Sequence, residues 1–196
     1  MSVRCYDMLY ITPAALSLAL PDQTLPFVPG GVRASAAIRE VVADAFAEFP
    51  RKLDELETVD LLARLAAALR REAGLAPEQQ SAIDWKAVRL ARDVLDGADG
   101  ASLPAARLEA LTGVDRYRLA RHFRAAYSTS PHQYLVGRRV RKARRLIPLG
   151  RPLADIATAC GFADQSHLTR HFLQRFGMTP GQFRAACEAR QIIPGA

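Results

Sequence analysis

The sequence has few of the residues that would make it a disulfide-bonded, metal-binding or membrane protein. Its three cysteines, Cys5, Cys160 and Cys187, are far apart and odd in number, which excludes a disulfide framework and the paired spacing of a structural zinc site. Charged residues interrupt every Ala/Leu-rich stretch before 18 residues, and the N-terminus lacks the pattern of a secretory signal. We therefore expect a soluble, cytoplasmic protein that does not bind a membrane.

The patterns typical of enzymes are also absent. The sequence shows no Gly-rich phosphate loop, no carboxylate pair and no nucleophile placed beside a base. His167 and His171 are four residues apart, as metal ligands on a helix can be, but no Glu lies between them in the HExxH order. We predict that the chain is not an enzyme and has no cofactor and no metal site.

The positive charge of the chain is concentrated in its second part. The overall formal net charge is +7. Residues 1–80 contain 8 Lys/Arg and 11 Asp/Glu, whereas residues 81–196 contain 19 and 9. A basic region attracts polyanions, and double-stranded DNA is the leading candidate. Charge alone does not distinguish specific DNA binding from nonspecific attraction of polyanions. The motifs of residues 81–196 are therefore needed to distinguish them.

The patterns before residue 81 predict a small N-terminal region. Residues 4–11 are rich in aromatic and branched side chains and predict a β-strand that stops at Thr12-Pro13. Two helices are predicted, over about 34–48 and 53–72. The second carries an apolar stripe that is either core or a dimer seam, and of these we favour the dimer seam. Residues 74–80, GLAPEQQ, are typical of a linker.

After the linker the sequence predicts helices almost throughout, and it contains an internal repeat. YRLARHFRAAYSTSPHQY, which begins at Tyr117, aligns without a gap with SHLTRHFLQRFGMTPGQF, which begins at Ser166. Before each copy come a short helix, a glycine that can end it and an aspartate that can cap the next helix. Both copies therefore predict helix-turn-helix motifs, at about 104–127 and 152–176.

The second helix of each motif has an apolar face, which must be packed, and a polar face. The polar faces consist of Tyr117, Ala120, Arg121 and Arg124 in the first copy and of Gln165, Ser166, His167, Arg170 and Gln174 in the second. Arg can pair bidentately with guanine and Gln with adenine, and an α-helix fits the major groove of B-DNA. The alternative is a solvated helix face, and the repetition of the whole motif favours DNA reading.

A long helix predicted from Pro131 to about Leu149 joins the two motifs and carries six cationic side chains. A helix of this length spans about 22 to 27 Å, which suits two recognition helices roughly 34 Å apart, one turn of DNA. Some of these cations belong to a solvated face, but their joint effect on DNA affinity is favourable and salt-dependent. We assign phosphate contacts to Arg144 and Arg145.

The segment PLADIATACGFADQSHLTRHFLQRFGMTPGQFR, Pro152 to Arg184, resembles the signature of the AraC/XylS family of bacterial transcription regulators, and the resemblance extends over residues 81–196. It implies a mainly all-α fold, with two helix-turn-helix subdomains joined by a long linker helix and both recognition helices in successive major grooves. It implies base reading by Tyr117, Ala120, Arg121, Gln165, Ser166, His167 and Arg170. Arg184 matches a phosphate contact, and we add Arg118 and Arg124 to that group.

Residues 1–73 resemble, more loosely, the last part of the cupin-type sensor domain of such regulators, which is one strand followed by a helical pair used for dimerisation. The strands that should precede Arg4 are missing, and a single strand is marginal in water. We therefore expect a truncated sensor and dimerisation remnant, a homodimer through helix 53–72, and doubtful binding of a small-molecule effector.

Together these observations predict a sequence-specific, DNA-binding transcription regulator that activates transcription by recruiting RNA polymerase. The first alternative is a DNA-binding remnant that competes for sites or forms heterodimers without activating. The second is a fusion of the DNA-repair methyltransferase type, which would need four clustered cysteines where this sequence has three scattered ones.

Overall fold

The described part of the chain is mainly helical. The computed structural model describes residues 8–20, 24–28, 35–47, 51–75, 82–98 and 103–191, and these ranges contain no strand. The α-helices in them are α1 Pro13–Ala19, α2 Ala36–Ala47, α3 Glu55–Glu72, α4 Trp85–Gly97, α5 Ala105–Thr112, α6 Arg116–Tyr127, α7 Pro131–Leu146, α8 Leu153–Ala159, α9 Gln165–Phe176 and α10 Pro180–Gln191. The predicted mainly all-α fold is confirmed. None of these helices combines the length and the apolar character needed to cross a bilayer.

The described residues form two compact units. Unit 1 comprises those up to Ala91 together with Pro104–Pro131, and unit 2 comprises those of Arg92–Leu103 and from His132 onward. Unit 1 therefore contains α5 and α6 along with α1 to α3, and unit 2 contains α8 and α9 along with most of α7 and with α10. The predicted boundaries 1–73, 74–80 and 81–196 stay predictions, and residues 76–80 of the expected linker lie outside the described residues.

The strand predicted for residues 4–11 is not found in the part of it that is described. Residues 8–12 belong to no strand, residues 4–7 lie outside the described ranges, and α1 begins at Pro13. The Thr12 hydroxyl accepts a hydrogen bond from the Ala15 N–H at 3.2 Å. Threonine at the N-cap followed by proline fixes the start of a helix. The described residues offer no strand for pairing, and the cupin-type remnant is not confirmed.

The core of unit 1 is built around α3. The helix begins with a capping box, in which the Asp54 carboxylate accepts from the Glu57 N–H at 2.8 Å and the Glu57 carboxylate accepts from the Asp54 N–H at 2.7 Å. α3 contacts α1, α2, α5 and α6. The central positions of its apolar stripe are buried, namely Leu56, Val59, Leu62 and Leu65. These positions are core, which gives no support to a dimer seam.

The core of unit 2 is formed by α7, α8 and α9 and the segment that follows α7. Val140, Ile156, Leu168 and Phe172 are all buried to at least 99%, and they belong to one continuous cluster. α7 ends at Leu146 and continues as a 3-10 helix, Ile147–Leu149, so the long helix predicted for 131–149 is confirmed except for its tightened last turn. The apolar faces predicted from the repeat are therefore packed.

Candidate nucleic-acid interface

The first helix-turn-helix motif consists of α5 and α6. Gly113 ends α5 with a φ of 69°, a left-handed conformation that glycine adopts without steric cost. The Asp115 carboxylate caps α6 by accepting from the N–H groups of Tyr117 and Arg118, at 2.9 and 3.1 Å. The predicted ending and capping residues of the first motif are confirmed.

The second motif consists of α8 and α9 and likewise has a glycine with positive φ after its first helix and an aspartate that caps its second helix. Gly161 follows α8 with a φ of 83°, and the Asp164 carboxylate accepts from the His167 N–H at 2.7 Å. Pro131 and Pro180 begin the helices that follow the two motifs, as predicted. Both second helices are thus fixed at their N-termini by local side-chain contacts.

α9 presents most of its predicted polar face to solvent. Gln165, Ser166 and Gln174 are exposed and Arg170 is half-buried, whereas Leu168 and Phe172 on the opposite face are fully buried. The packed face fixes the rotation of the helix, and the polar face remains accessible to a ligand. An exposed α-helix with Arg and Gln side chains at its N-terminal half can read base edges in a major groove.

His167 differs from its neighbours on α9. Its side chain is buried, its Nδ1 accepts from the Ala163 N–H at 3.3 Å, and its ring packs edge-on against Phe162 with centroids 5.2 Å apart. The ring of His171 lies 4.8 Å away. The structure gives His167 a packing contact in the turn, and base reading by it stays a prediction.

The corresponding face of α6 is covered inside unit 1. Tyr117 is only 9% exposed and Ala120 only 1%, and burial raises the pKa of the Tyr117 phenol. The Arg121 Nη1 donates to the backbone carbonyl of Ala19 at 3.3 Å. Arg124 forms an ion pair with the buried Asp60 of α3. The predicted residues of α6 thus share one face, but this face meets the N-terminal helices, and their DNA contacts stay predictions.

The other arginines predicted to contact phosphates have varied surroundings. Arg145 is exposed, and Arg144 is exposed with its guanidinium 5.2 Å from the ring centroid of Phe176. Arg118 is exposed, and its Nε donates to the His122 imidazole at 3.2 Å. Arg184 is half-buried and donates to the Arg151 carbonyl at 2.5 Å. Arg145 is therefore the clearest candidate among them for a contact with DNA phosphate.

α7 supplies most of the walls of a basic cleft of about 640 Å³ in unit 2. The lining residues are Arg138, Arg139, Arg141, Lys142, Arg144 and Arg145, with Ala98 and Cys160. Asp96 is the acidic counterpart at this end, because it pairs with Arg138 and accepts from the Tyr134 hydroxyl at 2.8 Å. A cleft lined by six cations attracts phosphate groups.

The acidic partners of these basic residues were not predicted from the sequence. Asp60 and Asp96 lie 64 and 42 residues before the arginines with which they pair. Asp60 lies in the predicted helix 53–72. An acidic residue directly after Val59 of the apolar stripe was the available signal, and it does not by itself name a partner.

The Cys160 thiol should be unreactive, as expected for a small buried residue. Its side chain is fully buried, and burial raises the pKa of the thiol. Since the thiolate is the reacting form, we expect iodoacetamide near neutral pH to modify Cys160 at least about tenfold more slowly than the partly exposed Cys187. Peptide mass spectrometry measures both rates, and concentrated urea should remove the difference. Equal rates in the folded protein would contradict the burial of Cys160.

Comparison with known proteins gives one family match and several relatives. Residues 108–186 match the profile of a helix-turn-helix domain family. The virulence regulon transcriptional activator VirF of Yersinia enterocolitica is 38% identical over 63 residues, which is 32% of this chain and 23% of VirF. A Streptomyces antibioticus protein named as an AraC-like transcription regulator is 36% identical over 80 residues, 40% of this chain and 26% of that protein.

One similar solved structure is the DNA-binding domain of the transcriptional factor AdpA in complex with a target DNA. It is 26% identical in sequence, with a TM-score of 0.49, and the match covers 56% of this chain and 98% of that chain. The matches to VirF and to the Streptomyces protein span about a quarter of those relatives. The family match, over residues 108–186, extends from α5 to α10 and so includes residues of both motifs.

Proposed function

We propose that the chain is a sequence-specific, DNA-binding transcription regulator of the AraC type, because residues 108–186 match a helix-turn-helix domain family and a similar protein is named as an AraC-like transcription regulator. In this proposal α6 and α9 are the recognition helices and enter successive major grooves, while α7 carries arginines that contact phosphates. The two recognition faces have different side chains, so the target is an asymmetric sequence rather than a palindrome.

The observation that carries the proposal is the exposed polar face of α9. Asp164 fixes the start of the helix, Phe172 fixes its rotation, and Gln165 and Ser166 are left exposed in its first turn. A capped helix of this kind presents its N-terminal side chains to base edges in the docking geometry of helix-turn-helix proteins. The basic cleft along α7 supports the proposal because it supplies the electrostatic attraction that such binding requires.

Selection from a pool of random double-stranded DNA tests the proposed function. We expect enrichment of an asymmetric site, bound at physiological salt on the order of 10³-fold or more tightly than unrelated DNA. Fluorescence anisotropy with both DNAs measures this ratio. Equal affinity for the selected and the unrelated DNA would show a polyanion-binding protein without sequence specificity.

Arg145 should contribute to affinity without contributing to specificity. Replacing it with alanine removes one phosphate contact, so we expect weaker binding to all DNA sequences and a salt dependence whose slope, log affinity against log salt, is less steep by about 0.9. Arg39→Ala is the matched control, because Arg39 is an exposed arginine on α2 and its loss removes the same charge. An Arg145→Ala slope equal to that of Arg39→Ala would assign Arg145 to the solvated face of α7.

We further propose that the chain acts in the cytoplasm and activates transcription by recruiting RNA polymerase. The similarity to VirF, which is named as a transcriptional activator, supports activation. Transcription in vitro from a promoter that carries the selected site should rise when the chain is added to purified RNA polymerase. A fall in transcription would instead indicate a protein that occupies the site without activating.

A further inference from the structure

We propose that α1 and α3 hold the first helix-turn-helix motif in a closed state, in which α6 cannot enter a major groove, and that binding of both motifs requires α6 to be released. This inference rests on the DNA-binding function proposed above. The closed state is an intramolecular interface within unit 1, in which the N-terminal helices α1 and α3 cover part of α6.

The internal repeat allows the burial of α6 to be compared with that of α9 at aligned positions. In the alignment, Tyr117 of α6 corresponds to Ser166 of α9, and Arg124 corresponds to Leu173. Ser166 and Leu173 are exposed, whereas Tyr117 is buried and Arg124 is half-buried. Two helices with the same motif, the same caps and the same packed face thus differ in the face that would meet DNA. At these two positions the helix surface is open in α9 and wholly or partly covered in α6, whereas Arg121 and its counterpart Arg170 are both half-buried.

Asp60 of α3 binds the guanidinium of Arg124. The two side chains form an ion pair, and Asp60 is 5% exposed. A carboxylate and a phosphate are the two anions that a guanidinium binds with the same planar donor geometry. Asp60 therefore competes with a DNA phosphate for the Nη2 donor of Arg124. Because a buried carboxylate is costly without its partner, the pair ties α3 to α6.

α1 closes the same face of α6 one helical turn earlier. The Arg121 Nη1 donates to the Ala19 carbonyl, which belongs to the last residue of α1. Arg121 and Arg124 are three residues apart and are neighbours on the helix surface. The arginine expected to read a base and the arginine expected to hold a phosphate are thus both engaged by the N-terminal segment.

α3 also caps the other helix of the motif. The Glu55 carboxylate accepts from the Ala106 N–H at 3.1 Å, and no side-chain cap comes from Pro104 at the start of α5. Arg116 at the start of α6 lies 3.9 Å from Glu55 and 2.7 Å from Glu109. α3 therefore contacts both α5 and α6 through its own acidic side chains, which makes the interface specific to this motif.

A closed state lowers the apparent affinity for DNA by the fraction of molecules that are open. Asp60→Asn removes the charge that holds Arg124 and keeps the shape of the side chain. We expect it to bind the selected DNA site at least about fivefold more tightly than the unmodified chain. The matched control is Asp44→Asn, which removes the same charge from an exposed carboxylate that pairs with Arg64 of α3 at 2.6 Å. Asp44→Asn should leave the affinity within about twofold, as a surface pair of this kind contributes little.

A second comparison tests whether α6 is the helix that is released. Arg121→Ala should weaken binding to the selected site by less than about twofold in the unmodified chain, because Arg121 is held by Ala19 there. In the Asp60→Asn chain the same replacement should cost about fivefold or more, as loss of a base contact does. Circular dichroism of each variant checks that the helices remain folded. If Asp60→Asn does not fold, Glu55→Gln, at an exposed position, replaces it and should tighten binding in the same direction.

Three outcomes separate the inference from the proposed function. Tighter binding by Asp60→Asn than by Asp44→Asn, with a larger cost of Arg121→Ala in that background, supports the closed state. If the chain binds the selected site selectively but neither Asp60→Asn nor Glu55→Gln changes its affinity for that site, the closed state is overturned and the proposed function stands. If no variant distinguishes the selected site from unrelated DNA, the proposed function fails, and the closed state fails with it.

Discussion

Replacing Arg170 with alanine is expected to cost on the order of 1 to 3 kcal/mol of binding free energy on the selected DNA site and much less on unrelated DNA. Arg170 lies on α9 one turn after the exposed Ser166, on the polar face opposite Phe172. Its guanidinium can pair with the O6 and N7 of one guanine, and that pairing is lost with any other base. Fluorescence anisotropy on the two DNAs measures both costs.

Arg175→Ala is the matched control for this prediction. Arg175 is an exposed arginine in the last turn of the same helix, so its loss removes the same charge from the same element. We expect Arg175→Ala to weaken binding to both DNAs to the same small extent, through the electrostatic attraction alone. If Arg170→Ala also weakened binding to both DNAs equally, Arg170 would be a phosphate contact and not a base-reading residue.

Replacing Phe172 with alanine is expected to lower the free energy of unfolding of unit 2 by about 3 to 5 kcal/mol. Phe172 is fully buried, and its ring lies 4.7 Å from that of Phe176 and 5.6 Å from that of Phe183, between centroids. The replacement removes these contacts and leaves a cavity that the rigid helices fill only in part. Since a typical domain is stable by about 5 to 15 kcal/mol, this is a large share of the total.

Urea unfolding followed by circular dichroism measures the effect as a lower midpoint with an unchanged slope. Leu173→Ala serves as the control, because the neighbouring Leu173 is 45% exposed and its replacement should change stability by about 0.5 kcal/mol or less. A loss for Phe172→Ala no larger than for Leu173→Ala would mean that Phe172 does not anchor α9, and the rotation that exposes Gln165 and Ser166 would have no physical basis.

The helix-turn-helix motifs were predictable because local interactions determine them. A glycine with positive φ ends α5, Asp115 and Asp164 accept hydrogen bonds from N–H groups two or three residues later, and proline starts α7 and α10. Each of these contacts joins residues that are neighbours in the sequence, so their types and spacing are sufficient to indicate them. The repetition of the pattern added independent support for both motifs.

The N-terminal strand was predicted wrongly for residues 8–11 although the contrary signal was also local. Thr12-Pro13 was interpreted as the stop of a strand, whereas Thr12 caps α1 in the way that Thr179 caps α10. Aromatic and branched residues favour a strand only where a partner strand supplies hydrogen bonds. The described residues of this chain contain no such partner, so residues 8–11 form no strand, and the capping signal at Thr12 marks the start of α1.

The sequence by itself determined the two motifs, the helix between them and the division of each recognition helix into an apolar and a polar face, because caps and periodicity act over a few residues. Only the tertiary structure decided which polar face is open. Arg121 meets Ala19 across 102 residues and Arg124 meets Asp60 across 64. Contacts over such separations depend on how whole helices pack, and a helix face carries the same residues whether it is solvated or covered.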